Sequence, residues 1–139
     1  MTRSRSSQAA EAAAKSFAIE SARLAADLKC EDVVVFDVRE LSQVCDYIVV
    51  ASGTSERQMR SVAQQLEDLG KETGHLPYRS SIDSGATWIV ADFVDVVVHL
   101  FEPDQRLYYD LESLWSDASR VAWRRTEEAK GRRSSTRSS

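Results

Sequence analysis

From Trp88 to Phe101 the chain runs WIVADFVDVVVHLF, two apolar, largely β-branched stretches joined by a short corner. Successive side chains of a β-strand point to opposite faces. One alternation, Ile89, Ala91, Val96, Val98 and Leu100, is purely apolar and is expected in the core. The other carries Trp88, Val90, Val97, His99 and Phe101. A hairpin apolar on both faces needs cover on both, and a mixed sheet with helices on each side supplies it. With Phe93 and Val94 as a two-residue tip, Asp92 would lie opposite Asp95, Val90 opposite Val97 and Trp88 opposite His99. Glu102-Pro103 then ends the strand and starts a helix, with Pro103 near its first position.

The remaining segments supply partners for this hairpin. Ala9 to Lys29 is helical in pattern, with Ala14, Phe17, Ala18, Leu24, Ala25 and Leu28 on one stripe. Val33 to Val38 and Tyr47 to Ala51 are nearly unbroken apolar runs, as expected for strands covered on both faces. Ser52-Gly53-Thr54 breaks the second run, and Ser55 with Gln58 three residues later forms a capping-box pattern. The helix that follows places Met59, Val62, Ala63, Leu66 and Leu69 on one face and ends near Gly70 to Gly74. Tyr78 to Ile82 is a weaker strand candidate. The expected fold class is therefore α/β, one domain with a mixed, roughly five-stranded sheet and helices on both faces.

A chain of 139 residues suits a single core. No run approaches the roughly 18 apolar residues of a membrane span, so no membrane partner is expected. Cys30 and Cys45 follow no metal or redox spacing, and the N-terminus lacks the apolar region of a signal peptide; a reducing cytoplasm is the expected location. The net charge of −4 conceals a partition. Residues 1–10 hold two arginines and no acid, and residues 124–139 hold six basic residues against Glu127 and Glu128. The body between Glu11 and Trp123 keeps ten basic and 20 acidic residues. Such a body repels a phosphate backbone and prefers a basic protein surface. The expected organisation is a flexible N-terminus over 1–10, a folded domain over 11–123 and a basic, disordered tail over 124–139, which would touch RNA weakly or serve solubility.

Little here suggests catalysis. Gly53 sits in a strand-to-helix turn, as a phosphate-binding loop would, but without a neighbouring lysine. Asp92 and Asp95 lack a third carboxylate or a histidine at ligand spacing, and His75 and His99 are the only histidines. No serine or cysteine has a recognisable base beside it. No cofactor or metal is expected, and binding is favoured over chemistry. The Trp88–His99 face is the candidate surface, joined by Tyr108, Tyr109 and Trp115 and surrounded by Asp92, Asp95, Glu102, Asp104, Asp110 and Glu112. An apolar centre with a rim of carboxylates suits a basic partner. The same patch would also suit a homodimer.

Two blocks resemble the signatures of the ribosome silencing factor family, also called the Iojap-related family. Asp46, Tyr47, Ser52, Gly53, Thr54 and Ser55 match its first signature; Trp88, Asp92, Asp95, Val97 and His99 match the second; Tyr109, Asp110, Leu111, Glu112 and Trp115 match the closing one. The resemblance spans roughly Phe17 to Trp115. It implies a nucleotidyltransferase-like fold without that fold's catalytic acids. It also implies a non-enzymatic factor that binds the large ribosomal subunit through its universal protein fourteen (uL14). Such a factor keeps the subunits apart, lowering translation when nutrients are short. Two alternatives stay open: a role in large-subunit assembly on the same partner, and a vestigial nucleotidyltransferase-like enzyme using the Ser52-Gly53-Thr54 turn. The implied contact residues are Trp88 first, then Tyr47, Asp92, Asp95, His99 and Tyr109. The family commonly has glycine where Val94 stands, and a β-branched residue resists φ > 0, so a wider turn would shift the cross-strand pairs.

Overall fold

A computed structural model describes residues 5–82 and 87–125. Helix α1 (Arg5–Asp27) is followed by strands β1 (Glu31–Asp37) and β2 (Tyr47–Ser52), then helix α2 (Glu56–Thr73). Strands β3 (Arg79–Ile82), β4 (Trp88–Asp92) and β5 (Val96–Phe101) come next, then two short helices, α3 (Pro103–Tyr109) and α4 (Leu111–Leu114), and a last strand, β6 (Ser119–Arg120). The sheet order is β3-β4-β5-β2-β1-β6, with β2 and β5 parallel and every other neighbouring pair antiparallel. This is the mixed α/β domain expected from the hairpin, with β6 added at one edge. α1 begins at Arg5, so residues 5–10, expected to precede the domain, are helical. Of the basic tail, only Arg124 and Arg125 lie within the described residues.

The two sheet faces are covered unequally. On one face α1 and α2 seat Phe17, Ala18, Ala22, Met59, Val62 and Leu66 over Val49, Ile89, Ala91, Val98 and Leu100. Alanines along α1 let its backbone approach the sheet closely, and the larger α2 residues each contribute about 1.5–3 kcal/mol by burial. The capping box forms in modified shape: Ser55 Oγ accepts from Gln58 N at 3.0 Å, while Gln58 Oε1 accepts from Thr54 N one residue earlier than the usual partner. Gln58 Nε2 donates to the Leu28 carbonyl at 2.9 Å and ties the end of α1 to the start of α2. On the other face, Phe36, Val38, Ile48, Val50 and Phe101 are buried with Leu111, Trp115 and Ala118 packed against them, while Trp88, Val90, Val97 and His99 toward the β4 side stay half-buried.

The β4–β5 hairpin differs in register from the two-residue tip. Asp92 pairs with Val97, Val90 with His99 and Trp88 with Phe101, a shift of two residues. An even shift leaves every side chain on its expected face. The reason lies in Phe93, which turns into the core and meets the Phe17 ring edge-on at 4.8 Å. Gly70 makes room for it: a Cβ there would fall 2.9 Å from the Phe93 ring and 2.3 Å from the His75 carbonyl oxygen. Val94 then occupies the tip at φ +73, with its N–H on Asp92 Oδ1 at 2.8 Å and Asp95 N–H on the Phe93 carbonyl at 2.9 Å. The last bond gives the tip the three-residue form of a γ-turn. A β-branched residue is strained in this region, so Val94→Gly is expected to raise stability by about 0.5–1.5 kcal/mol despite the added freedom of the unfolded chain. Urea unfolding of the two proteins tests this; an unchanged or lowered midpoint would refute strain at Val94.

Candidate functional site

The half-covered sheet face carries a ring cluster built from three elements. β4 supplies Trp88, β5 supplies His99 and Phe101, and α3 supplies Tyr109. Trp88 lies 4.6 Å from the Tyr109 ring centroid, 4.8 Å from Phe101 and 5.9 Å from His99. Trp88 Nε1 donates to His99 Nδ1 at 3.1 Å, which requires that nitrogen to be unprotonated. Phe101 is the buried floor; Trp88, Val90, Val97 and His99 are half-buried; Tyr109 is 45% exposed. Trp88 is thus neither plain core nor fully free. Its ring is packed among Phe101, His99 and Tyr109 and stays partly accessible.

Burial of the His99 ring pushes its pKa down from 6.5 to about 4, against a smaller opposing pull from the Asp92 charge. As pH falls below about 6.5 the unfolded chain takes the proton first, so stability drops until the folded imidazole titrates near pH 4. The loss is on the order of 2–3 kcal/mol. Comparing urea unfolding at pH 7 and 4.5 for the wild type and His99→Gln isolates it, since glutamine keeps an acceptor without the titration. An equal pH dependence in the two would refute a neutral, buried ring.

At the hairpin end of this face lie the carboxylates. Asp46 N and Tyr47 N both donate to the Asp95 carbonyl, at 2.8 and 3.1 Å, which brings the β1–β2 loop against the tip. Asp46, Asp92 and Asp95 all act on the buried Cys45 thiol, whose pKa is raised first by burial and then by these charges. Asp95 is exposed; Asp92 is half-buried and shares its charge with Arg79 at 3.9 Å. Exposed Val44 and Val94 flank the acids. Among the described residues no group of His, Cys, Asp and Glu is placed to hold a metal.

Tyr47 does not join the cluster. It is 1% exposed and belongs to the core under α1, on the sheet face opposite Trp88. The parallel pairing of Tyr47 with Val96 puts it on the alternation of Leu100 rather than of His99. A partner cannot reach it while α1 is in place. Trp88, His99, Tyr109, Asp92 and Asp95 are brought to one face.

Sequence reasoning missed Arg106. The residue is 8% exposed and its guanidinium clamps three elements: Nε and Nη2 donate to the two Glu112 carboxylate oxygens at 3.0 Å each, and Nη1 donates to Ser52 Oγ at 2.9 Å. Asp110, in the left-handed region at φ 49, bends the chain between α3 and α4 so that residues six apart can meet. No helical spacing signals such a pair. The clamp fixes the corner that carries Tyr109 and presents Leu107 and Tyr108, 80% and 78% exposed, to solvent.

The Gly53 turn is built for packing. A Cβ at Gly53 would fall 2.1 Å from Met59 Cγ, and its N–H donates to the Phe101 carbonyl at 2.8 Å. The Thr54 and Gln58 amides are taken by side chains, and Glu56 and Glu102 line the adjoining cleft. Occupied donors beside two carboxylates make a poor phosphate cradle. No helix among the described residues is long and apolar enough to cross a membrane.

The family profile described as "Ribosomal silencing factor during starvation" matches residues 10–139. The ribosomal silencing factor RsfS of Bacillus subtilis is 37% identical over 92 residues, 66% of this chain and 78% of that protein. The chloroplastic protein Iojap of Zea mays is 32% identical over 110 residues, 76% of this chain but 46% of the longer plant protein. A crystal structure from Chromobacterium violaceum superposes with a TM-score of 0.66 at 31% identity, covering 79% of this chain and 88% of that one.

Proposed function

The chain belongs to the ribosomal silencing factor family, and on that premise we propose that it is a cytoplasmic translational repressor that docks on the large ribosomal subunit through uL14. Seated there, it stands where the small subunit must bind, so subunit joining and translation fall when nutrients are limiting. No bond is made or broken; the mechanism is occlusion. The observation that supports this most is the half-open cluster of Trp88, His99 and Tyr109 with Asp46, Asp92 and Asp95 at one end. Large rings on a rigid floor bury area at low entropy cost, and adjacent carboxylates select a basic protein.

Sucrose-gradient sedimentation with purified subunits tests the proposal. The expected result is co-migration with the large subunit, exclusion from joined ribosomes and a smaller joined peak as the protein is added. Protein that stays at the top of the gradient, or travels with joined ribosomes, would overturn it. The acids are expected to act on encounter. Asp92→Asn with Asp95→Asn keeps the oxygen that holds Val94 N–H and removes only charge. It should slow association several-fold at low salt and flatten its salt dependence, with dissociation nearly unchanged. A change confined to dissociation, read by surface plasmon resonance, would assign these residues a direct contact instead.

A further inference from the structure

The hydrogen bond inside the ring cluster fixes more than the pose of Trp88. An indole N–H can only donate, so the His99 Nδ1 that receives it at 3.1 Å carries no proton. Burial keeps the ring uncharged at neutral pH. A neutral imidazole bears one proton, and with Nδ1 accepting, that proton sits on Nε2. Nε2–H is therefore a donor on the other side of the ring from Trp88's bond. It meets no acceptor among the described residues. The fully buried side-chain atoms without a partner are Ser21 Oγ and Trp115 Nε1, so His99 Nε2 is not sealed in the core.

The surroundings of this donor select what can receive it. His99, Trp88, Val90 and Val97 are half-buried on one face, and the Phe101 ring stacks beside His99 at 6.2 Å and 12°. A partner that covers these apolar groups takes the N–H out of water. A donor buried without an acceptor costs more than its bond would gain, so the partner must bring one. A carboxylate or phosphate fits poorly. Its own desolvation outweighs a bond to an uncharged donor, and the Asp92 charge reaches the ring. An uncharged carbonyl carries no such penalty. Resting on the docking reading above, we propose that His99 Nε2–H donates to an uncharged carbonyl oxygen of the docked protein, from its backbone or a side-chain amide. Trp88 is the positioning residue that holds this tautomer. The rim carboxylates then choose a basic partner by charge, and His99 sets the register in which it docks.

Proton–nitrogen correlation spectra of the free full chain test the tautomer. Expected at pH 7 is a proton on His99 Nε2 and none on Nδ1; the reverse, or a charged ring, would overturn the proposal. Dissociation from purified large subunits, followed by surface plasmon resonance, tests the donor. The His99 imidazole is replaced by a thiazole joined through the carbon between its nitrogen and sulfur. This keeps a ring nitrogen for Trp88 and removes only the N–H. Near-wild-type melting with dissociation about tenfold faster is expected. His99→Gln, with an oxygen for Trp88 and an N–H for the partner, should dissociate at most about threefold faster, and His99→Met, with neither, about tenfold or more. Wild-type dissociation in the folded thiazole variant, or equal rates for His99→Gln and His99→Met, would overturn the donor. Slower dissociation of Asp92→Asn with Asp95→Asn would mean an anionic acceptor and overturn the uncharged carbonyl. Wild type that never binds defeats the docking proposal itself, whereas tight binding indifferent to the thiazole defeats the donor alone.

Discussion

Trp88→Ala is expected to weaken binding to the large subunit at least 30-fold, a loss of about 2 kcal/mol or more. Two terms make it large. The accessible part of the half-buried indole is lost, and so is the surface against which Tyr109 and Phe101 rest at 4.6 and 4.8 Å. His99 Nδ1 also loses its donor, so the variant should unfold more easily, by about 2–3 kcal/mol. Tyr109→Ala separates the terms. At 45% exposure its ring contributes little to the core, so the variant should keep near-wild-type stability while binding falls about fivefold or more. Circular dichroism melts beside gradient co-sedimentation report both quantities. Wild-type binding by a folded Tyr109→Ala and a folded Trp88→Ala would move the docking surface elsewhere.

Arg106→Met should be the most destabilising single substitution outside the apolar core, by about 2–4 kcal/mol. The buried guanidinium holds Glu112 through two bonds and Ser52 through a third, and methionine leaves a carboxylate only 29% exposed without its counter-charge. The lower end of the range reflects the water that still reaches Glu112. For a chain of this size the melting temperature should fall by about 10 °C. Glu112→Gln should lose less, because the amide oxygen still accepts from Arg106. The pair should be strongly coupled in a double-mutant cycle, and additive effects would refute the clamp. Because the clamp fixes the α3–α4 corner, Arg106→Met should also weaken subunit binding through misplacement of Tyr109.

The faces of the β4–β5 hairpin were legible from period-two patterning alone, and they survived a register error because the error was even. The width of the turn was not legible. It depends on Phe93 finding a seat between Phe17 and Gly70, both remote in sequence. The cap at Ser55 and the core stripe of α2 were legible because both are local to one helix. Tyr47 shows the opposite case. Its run is buried on both faces, so the residues themselves do not say which face each one takes. Only the parallel pairing with β5 assigns Tyr47 to the α1 side and away from Trp88.

By itself, then, the chain's order of residues determined a mixed α/β domain, its apolar hairpin, its acidic body and the aromatic residues that gather on one face. These follow from periodicity and charge, which act over a few neighbouring residues and survive any tertiary arrangement that buries apolar surface. The tertiary structure alone decided how much of that face stays open and that Arg106 clamps the corner presenting Tyr109. Each of these depends on groups brought together by strand order and by the left-handed bend at Asp110. Such contacts follow from the packing of the whole chain, and no local spacing encodes them.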